Sequence, residues 1–129
     1  MDEETARRYR EILRESLLVV ATDVRELVTH LGADFSEILE LSDLNSDAVQ
    51  SGNFLDQKGI ALHNLGVAYR LSEMALLNLE EGVETEWVVL CAMECQRLVK
   101  RTAGWCLGLE LGKTKAEFSA RSEAARRAA

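Results

Sequence analysis

One histidine stands out in the 129-residue sequence because two glycines flank it at helical spacing. At steps of three and four residues, Gly59, His63, Gly66, Arg70 and Glu73 fall on one face of a single predicted helix. A glycine inside a helix costs ~1 kcal/mol relative to alanine, so two of them indicate a structural requirement. They would either bare the imidazole to solvent or let another backbone approach closely. We take this face as the candidate functional site and favour a helix–helix contact, with the imidazole hydrogen-bonded at the seam.

The stretch around the histidine resembles histidine phosphotransfer domains, which are small helical bundles with an exposed histidine followed by lysine and glycine. In this chain Lys58 and Gly59 precede His63, and Leu55 occupies the position three before the lysine. The resemblance implies phosphorelay signalling but provides no histidine at the family's position. A phosphotransfer-type protein would have to use His63 in a different local frame.

The residues ALHNLGVAYRL are similar to the first helix of a tetratricopeptide repeat, with Leu65, Gly66 and Tyr69 at its small and aromatic positions. Asn78 and Gly82 stand where the second half of that repeat has small or aromatic core residues. The similarity implies helix-pair packing only.

The segment Asp43-x-Asn45-x-Asp47 has the opening spacing of an EF-hand calcium loop. Ala48 stands at the position of the glycine, and Phe54 at that of the bidentate glutamate. Without that carboxylate a calcium site would be open and weak. Helix capping explains the same residues, and we predict no metal here.

Cys91 and Cys95 are one helical turn apart and would need further ligands, such as His30 and His63, to hold zinc. Both thiols lie on the apolar stripe of their predicted helix, where cysteine packs as a small hydrophobe. We therefore predict core packing, with no metal and no cofactor. The sequence order reveals no serine–histidine–acid or cysteine–histidine arrangement, so we lean against an enzyme.

Residues 112–114, Gly-Lys-Thr, match the end of a phosphate-binding loop, but only three residues separate them from Gly108, and a helical pattern precedes them. Gly104, Gly108 and Gly112 instead recur every fourth residue, which favours a tight helix crossing.

Trp87 and Trp105 are eighteen residues apart and share one face of the same helix. Tryptophan is frequent in cores and as an interface anchor. We therefore take Trp87, Gly104, Trp105 and Gly108 as interface candidates.

The composition is that of a folded protein, with 47% hydrophobic and 29% charged residues and no proline. The net charge of −7 argues against a nucleic-acid binder. Six acidic residues and no Lys or Arg lie between Gly32 and Gln57, whereas basic residues predominate after Gly112. Solvated faces explain this asymmetry, and so would self-complementarity within or between subunits.

The chain begins with charged residues, no apolar run has the length of a membrane span, and the odd cysteine count suits free thiols. We therefore expect a cytoplasmic protein with no membrane partner.

The helical periodicity predicts one all-α domain over residues 1–129, an antiparallel bundle of four to five helices, two or three of them long. The first helix spans Glu3 to His30 and stops at Gly32; the central one spans Phe54 to Glu81; the fourth begins near Glu84 or Thr85. Short helices are capped by Asp34 or Ser36 and by Asn45 or Ser46. Gly112 is expected to interrupt the fourth helix, leaving residues 113–129 as a fraying helix anchored by Phe118.

The predicted core follows the steps of three and four along each long helix. Its members are Leu13, Leu17, Val20, Val24, Leu27 and Leu31, widened by Leu18, Val19 and Val28, in the first; Ile60, Val67, Leu71 and Met74 in the central; and Val88, Cys91, Cys95, Leu98, Thr102, Trp105 and Leu109 in the fourth.

Three functional classes remain. The first is a non-enzymatic protein–protein interaction module (an adaptor, chaperone-like or regulatory bundle), expected to be a homodimer. The second is a small-ligand or metal binder, or a small enzyme, with a pocket between helices. The third is the phosphotransfer protein using His63. We favour the first, because the apolar stripes are long and no catalytic constellation is present.

Overall fold

The computed structural model describes residues 2–52, 55–82 and 85–128, and within its last helix the side chains of residues 86–108 and Arg127. These residues form helices and no strand, which confirms the all-α prediction. The helices are α1 Glu3–His30, α2 Phe35–Ser42, α3 Ser46–Ser51, α4 Gln57–Glu80 and α5 Thr85–Ala128.

The helix boundaries follow from local capping chemistry. Side-chain oxygens of Asp2, Asn45 and Asp56 accept the backbone N–H three residues on, at 2.7, 3.0 and 2.7 Å, at the starts of α1, α3 and α4. Gly32 and Gly82 follow the ends of α1 and α4 with φ of 68° and 76°, a region that favours glycine. The predicted bounds of α1 are therefore confirmed.

Among the described residues the core consists of two clusters, and α4 contacts each of the other four helices. The first half of α1 packs against the second half of α4 and the start of α5, through Leu13, Leu17, Ala75, Leu79, Val88, Cys91 and Ala92. The second half of α1 packs against α2, the first half of α4 and the following turns of α5, through Val20, Val24, Val28, Ile38, Leu62, Leu65, Ala68, Cys95, Leu98 and Val99.

Two predictions about the core are wrong. Leu18 and Val19 do not widen the buried stripe of α1, because that helix buries only the stripe that begins at Leu13, and both side chains are exposed. Met74 is exposed as well. The buried stripe of α4 instead runs through small side chains, Ala68, Ser72 and Ala75, which let neighbouring helices come close.

The last helix differs from the prediction in being continuous. α5 passes through Gly112 and has 44 residues, which corresponds to a length of about 66 Å. One glycine costs only ~1 kcal/mol in a helix and does not end it without a left-handed turn. The side chains of Leu109 and Phe118 lie outside the described part, and the single-domain assignment stays a prediction. None of the described helices has the apolar length that crossing a membrane requires.

Candidate functional site

His63 is fully buried at the junction of α2, α3 and α4. Its Nδ1 lies 2.7 Å from the main-chain oxygen of Leu41, at the end of α2, and its Nε2 lies 3.0 Å from Oγ of Ser46, at the start of α3. Because a carbonyl oxygen only accepts, Nδ1 carries the proton and donates. In the neutral ring Nε2 then accepts the Ser46 hydroxyl. The imidazole thus joins both short helices to α4.

Gly66, one turn further along α4, lies against the main chain of α2. A Cβ at this position would collide with the carbonyl of Ile38 and would lie 2.8 Å from Cβ of Ser42. Glycine is therefore required by a close backbone approach, as the spacing predicts. This contact fixes the distance between α2 and α4 at the level of the imidazole.

Arg70 continues the same face of α4 and binds the end of α2. Its Nε donates to Oγ of Ser42 at 2.6 Å, and its Nη2 donates to the main-chain oxygen of Leu39 at 3.1 Å. The guanidinium also lies 3.4 Å from a carboxylate oxygen of Asp43. A cation here complements the negative end of the α2 dipole.

The two outer members of the predicted face do not belong to this contact. Gly59 lies in the first turn of α4, where an added Cβ would meet only Asp56 and Leu55 of the same chain segment, at 3.1 and 3.3 Å. Glu73 is exposed. The structure therefore brings together His63, Gly66 and Arg70, and it places them against α2 rather than in solvent.

A second polar contact fastens α3 and was not predicted. The side-chain amide of Gln50 donates to Oδ1 of Asn64 at 3.0 Å, and Asn64 is buried next to His63 on α4. Consecutive polar residues in an otherwise apolar helix were the available signal, because buried amides require partners. Their partners could not be identified from spacing alone.

The start of α2 is held by an aromatic cluster that the sequence analysis also missed. The rings of Phe35 and Tyr69 meet edge to face, with centroids 4.6 Å apart and planes at 87°. The guanidinium carbon of Arg25, from α1, lies 4.3 Å from the Phe35 centroid, within cation–π range. These contacts tie α1, α2 and α4 together.

The residues at positions 43–47, whose spacing resembles the start of a calcium loop, make capping and pairing contacts within the chain. Asn45 caps α3, Asp43 pairs with Arg70, and the main-chain oxygen of Asp47 accepts the Ser51 hydroxyl at 2.6 Å. Phe54 lies outside the described residues. Within the part of the chain that the structure describes, no cluster of three or more His, Cys, Asp or Glu side chains has a geometry suited to a metal ion.

Cys91 and Cys95 are buried in the core, and so is Cys106. Burial raises the pKa of the Cys91 thiol. Burial, followed by the neighbouring Cys91, raises the pKa of Cys95 to about 12. Thiols of this kind stay protonated at neutral pH and are poor nucleophiles and metal ligands.

Three of the four interface candidates lie in open positions on α5. Trp87 is 45% exposed, and Trp105 is half-buried beside Ile60 and Asn64. An added Cβ at Gly104 or Gly108 would meet no atom within 4 Å. Among the described residues, no helix therefore crosses closely at these two glycines, and their role as an interface stays a prediction.

Exposed large apolar side chains occur on all three long helices. They are Tyr9, Ile12, Leu18 and Val19 on α1, Met74 and Leu77 on α4, and Trp87, Leu90, Met93 and Leu107 on α5. Single exposed apolar residues are ordinary, whereas adjoining ones mark interaction surfaces. The side of the bundle where α1 and α5 lie next to each other carries several of them.

We call this side the α1–α5 groove. One part of it, an open cavity of about 560 Å³, lies between Asp23, Glu26 and His30 of α1 and Lys100 and Leu107 of α5. Steps of three and four residues from these positions lead to Val19 and Ile12 on α1 and to Met93 on α5. The groove therefore runs from Ile12 to His30 on α1, with an apolar half at Ile12 and Val19 and a half at Asp23 and Glu26 that carries charged side chains.

No protein-family model matches this sequence, and no curated protein or solved structure is significantly similar to it.

Proposed function

We propose that this protein is a non-enzymatic protein–protein interaction module, of the adaptor, chaperone-like or regulatory kind, and that it forms a homodimer. The observation that carries the proposal is the set of exposed apolar side chains on the outward faces of the long helices. Such residues cost solubility and are retained where another protein covers them. The working surface in this proposal is the outside of the bundle.

The polar residues that suggested chemistry support the same proposal, because their side chains hydrogen-bond to neighbouring helices of the bundle. The imidazole of His63 has no exposed surface and both its nitrogens have partners. A phosphohistidine requires an accessible ring nitrogen, so this geometry argues against phosphotransfer. The part of the α1–α5 groove between Asp23 and Leu107 has the volume of a ligand site, but it is open to solvent rather than enclosed.

The relative directions of the three long helices are part of the proposal as well. The two core clusters pair early α1 with late α4 and the first two turns of α5, and late α1 with early α4 and the next turns of α5. We infer that α4 runs antiparallel to both α1 and α5, and that α1 and α5 point the same way. Buried thiols without a disulfide suit a reducing compartment, and we propose the cytoplasm.

The test is affinity capture from the source cell with three baits. These are the wild-type chain, a variant that carries Val19→Glu and Leu90→Glu on its exposed apolar faces, and a matched control, Thr22→Glu, at an exposed polar position of α1. The proposal predicts proteins, including the chain itself, that the wild-type and Thr22→Glu baits retain and the apolar-face variant loses. Equal capture by all three baits, or none above background, would contradict it.

A further inference from the structure

We infer that the α1–α5 groove is the docking site for a second copy of this chain, with the two copies side by side and their helices pointing the same way. This inference rests on the proposed function and names its partner and its surface. Four helices, α1 and α5 from each copy, would then form one bundle around the two-fold axis, and α4 would lie outside it in each copy.

The first argument is that both walls of the groove have helix-packing periodicity on surfaces left uncovered. On α1, positions 12, 16, 19, 23, 26 and 30 lie on one face, and on α5, positions 89, 93, 96, 100, 103 and 107 lie on one face. Ile12 is 59% exposed, Val19 56% and Met93 61%. The apolar members of these faces, Ile12 and Val19 on α1 and Met93 and Leu107 on α5, stand whole turns apart, so a helix lying along the groove would contact them in succession.

The second argument is the area. Positions 12 to 30 of α1 cover about 28 Å. A strip of that length and two helix spacings wide, ~20 Å, has an area on the order of 560 Å² on each copy. The two copies together would bury roughly 1,100 Å², which exceeds the ~1,000 Å² that a specific protein–protein interface needs. A single helical peptide would cover about half of that strip, so a pair of helices fits the groove better.

The third argument is charge complementarity, which also decides the orientation. The face is apolar at Ile12, Val19 and Met93, and further along it carries Asp23 and Glu26 on the α1 wall against Lys100 on the α5 wall. In a two-fold interface, if residue i meets residue j of the partner, then j meets i. If the helices of the two copies point the same way, the apolar half of one groove lies against the apolar half of the other.

The same arrangement sets α1 beside α5 of the other copy. The carboxylates at positions 23 and 26 then face the partner's ammonium at position 100, and the reverse contact occurs on the other side of the axis. Copies pointing in opposite directions would instead place the charged half of one groove on the apolar half of the other. That orientation desolvates charges without pairing them.

Light scattering after gel filtration provides the test on the full chain. Wild type is expected at about twice the 14.4 kDa chain mass. Val19→Glu should weaken dimerisation by at least about 10-fold, since it places a carboxylate in the apolar half of the interface. Leu77→Glu introduces the same charge at an equally exposed apolar position of α4 and should leave the mass unchanged. Circular dichroism confirms that each variant is folded.

A charge swap tests the pairing independently of folding. Glu26→Lys and Lys100→Glu should each weaken the dimer, because each places like charges together across the interface. The double variant should recover dimerisation toward the wild-type value. Failure of that recovery, with all three proteins folded, would overturn the proposed orientation.

The remaining outcomes separate this inference from the function on which it rests. A monomeric wild type that captures a different protein through Val19 would overturn the second copy as occupant and leave the interaction module standing. A dimer broken by Leu77→Glu and not by Val19→Glu would overturn the location. A monomer that captures nothing would overturn both.

Discussion

Gly66 of α4 lies directly against the main-chain carbonyl of Ile38 in α2, with no room for a Cβ between them. The residues on either side of it along this face, His63 and Arg70, bind the end of α2 through a ring nitrogen and a guanidinium. The candidate site is therefore a helix-packing contact. It holds α2 close to α4 and provides hydrogen-bond partners for the polar groups at the end of α2.

Gly66→Ala should lower the free energy of unfolding by about 2–3 kcal/mol, because two backbones must separate to admit one methyl group. Gly104→Ala is the matched control, since an added Cβ there meets nothing within 4 Å. That substitution should raise the free energy of unfolding by about 0.5–1 kcal/mol through helix propensity. Urea denaturation of both variants measures the difference, and equal effects would contradict the close approach.

His63→Leu should cost about 2–3 kcal/mol, because it leaves the Leu41 carbonyl without its donor and removes the link to α3. Ser46→Ala breaks only the second of these hydrogen bonds and should cost about 1 kcal/mol. Equilibrium urea unfolding of each variant measures both values. A loss as large for Ser46→Ala as for His63→Leu would show that the Leu41 bond contributes little.

Burial also predicts the reactivity of the two histidines. Diethyl pyrocarbonate acylates accessible imidazole nitrogens, so the exposed His30 should be modified in the native protein while His63 reacts at least about 10-fold more slowly, limited by local opening. In urea the two rates should converge. Peptide mass spectrometry measures both sites in one sample. Fast native labelling of His63 would restore phosphotransfer as a possibility.

The bounds of α1 were accessible from sequence because local chemistry determines them. Asp2 caps α1, its apolar residues repeat at steps of three and four, and Gly32 ends it in a left-handed turn. All of these signals lie within the segment itself. The continuity of α5 through Gly112 could not be predicted from sequence. One glycine in a helix costs too little free energy to decide whether the helix ends there or continues.

The buried face of α4 and the partners of the candidate site could not be predicted in the same way. Ala68 and Ser72 are weakly apolar by residue type, and they are buried because small side chains fit between three helices. The partners of His63 lie 22 and 17 residues upstream, across a turn and a short helix. Periodicity within one helix contains no information about such contacts, although Gly66 correctly predicts that a backbone lies close by.

The buried thiol of Cys95 makes stability depend on alkaline pH. Its folded-state pKa of about 12 exceeds the ordinary value of 9.0 that the unfolded chain has. Below pH 9 the thiol is protonated in both states, so its contribution is constant. Between those two values only the unfolded chain ionises, and the free energy of unfolding should fall as pH rises, by at most ~1.4 kcal/mol per pH unit.

Cys95→Ala removes this ionisation and keeps every other titratable group of the chain. Urea unfolding at a series of pH values from neutral into the alkaline range should therefore give a steeper decline for wild type than for the variant, with parallel curves below pH 9. The physical reason is that the thiolate would have no water around it in the apolar core, so the folded protein disfavours ionisation of this thiol. Curves that stay parallel throughout the alkaline range would mean that water reaches Cys95 in the folded protein.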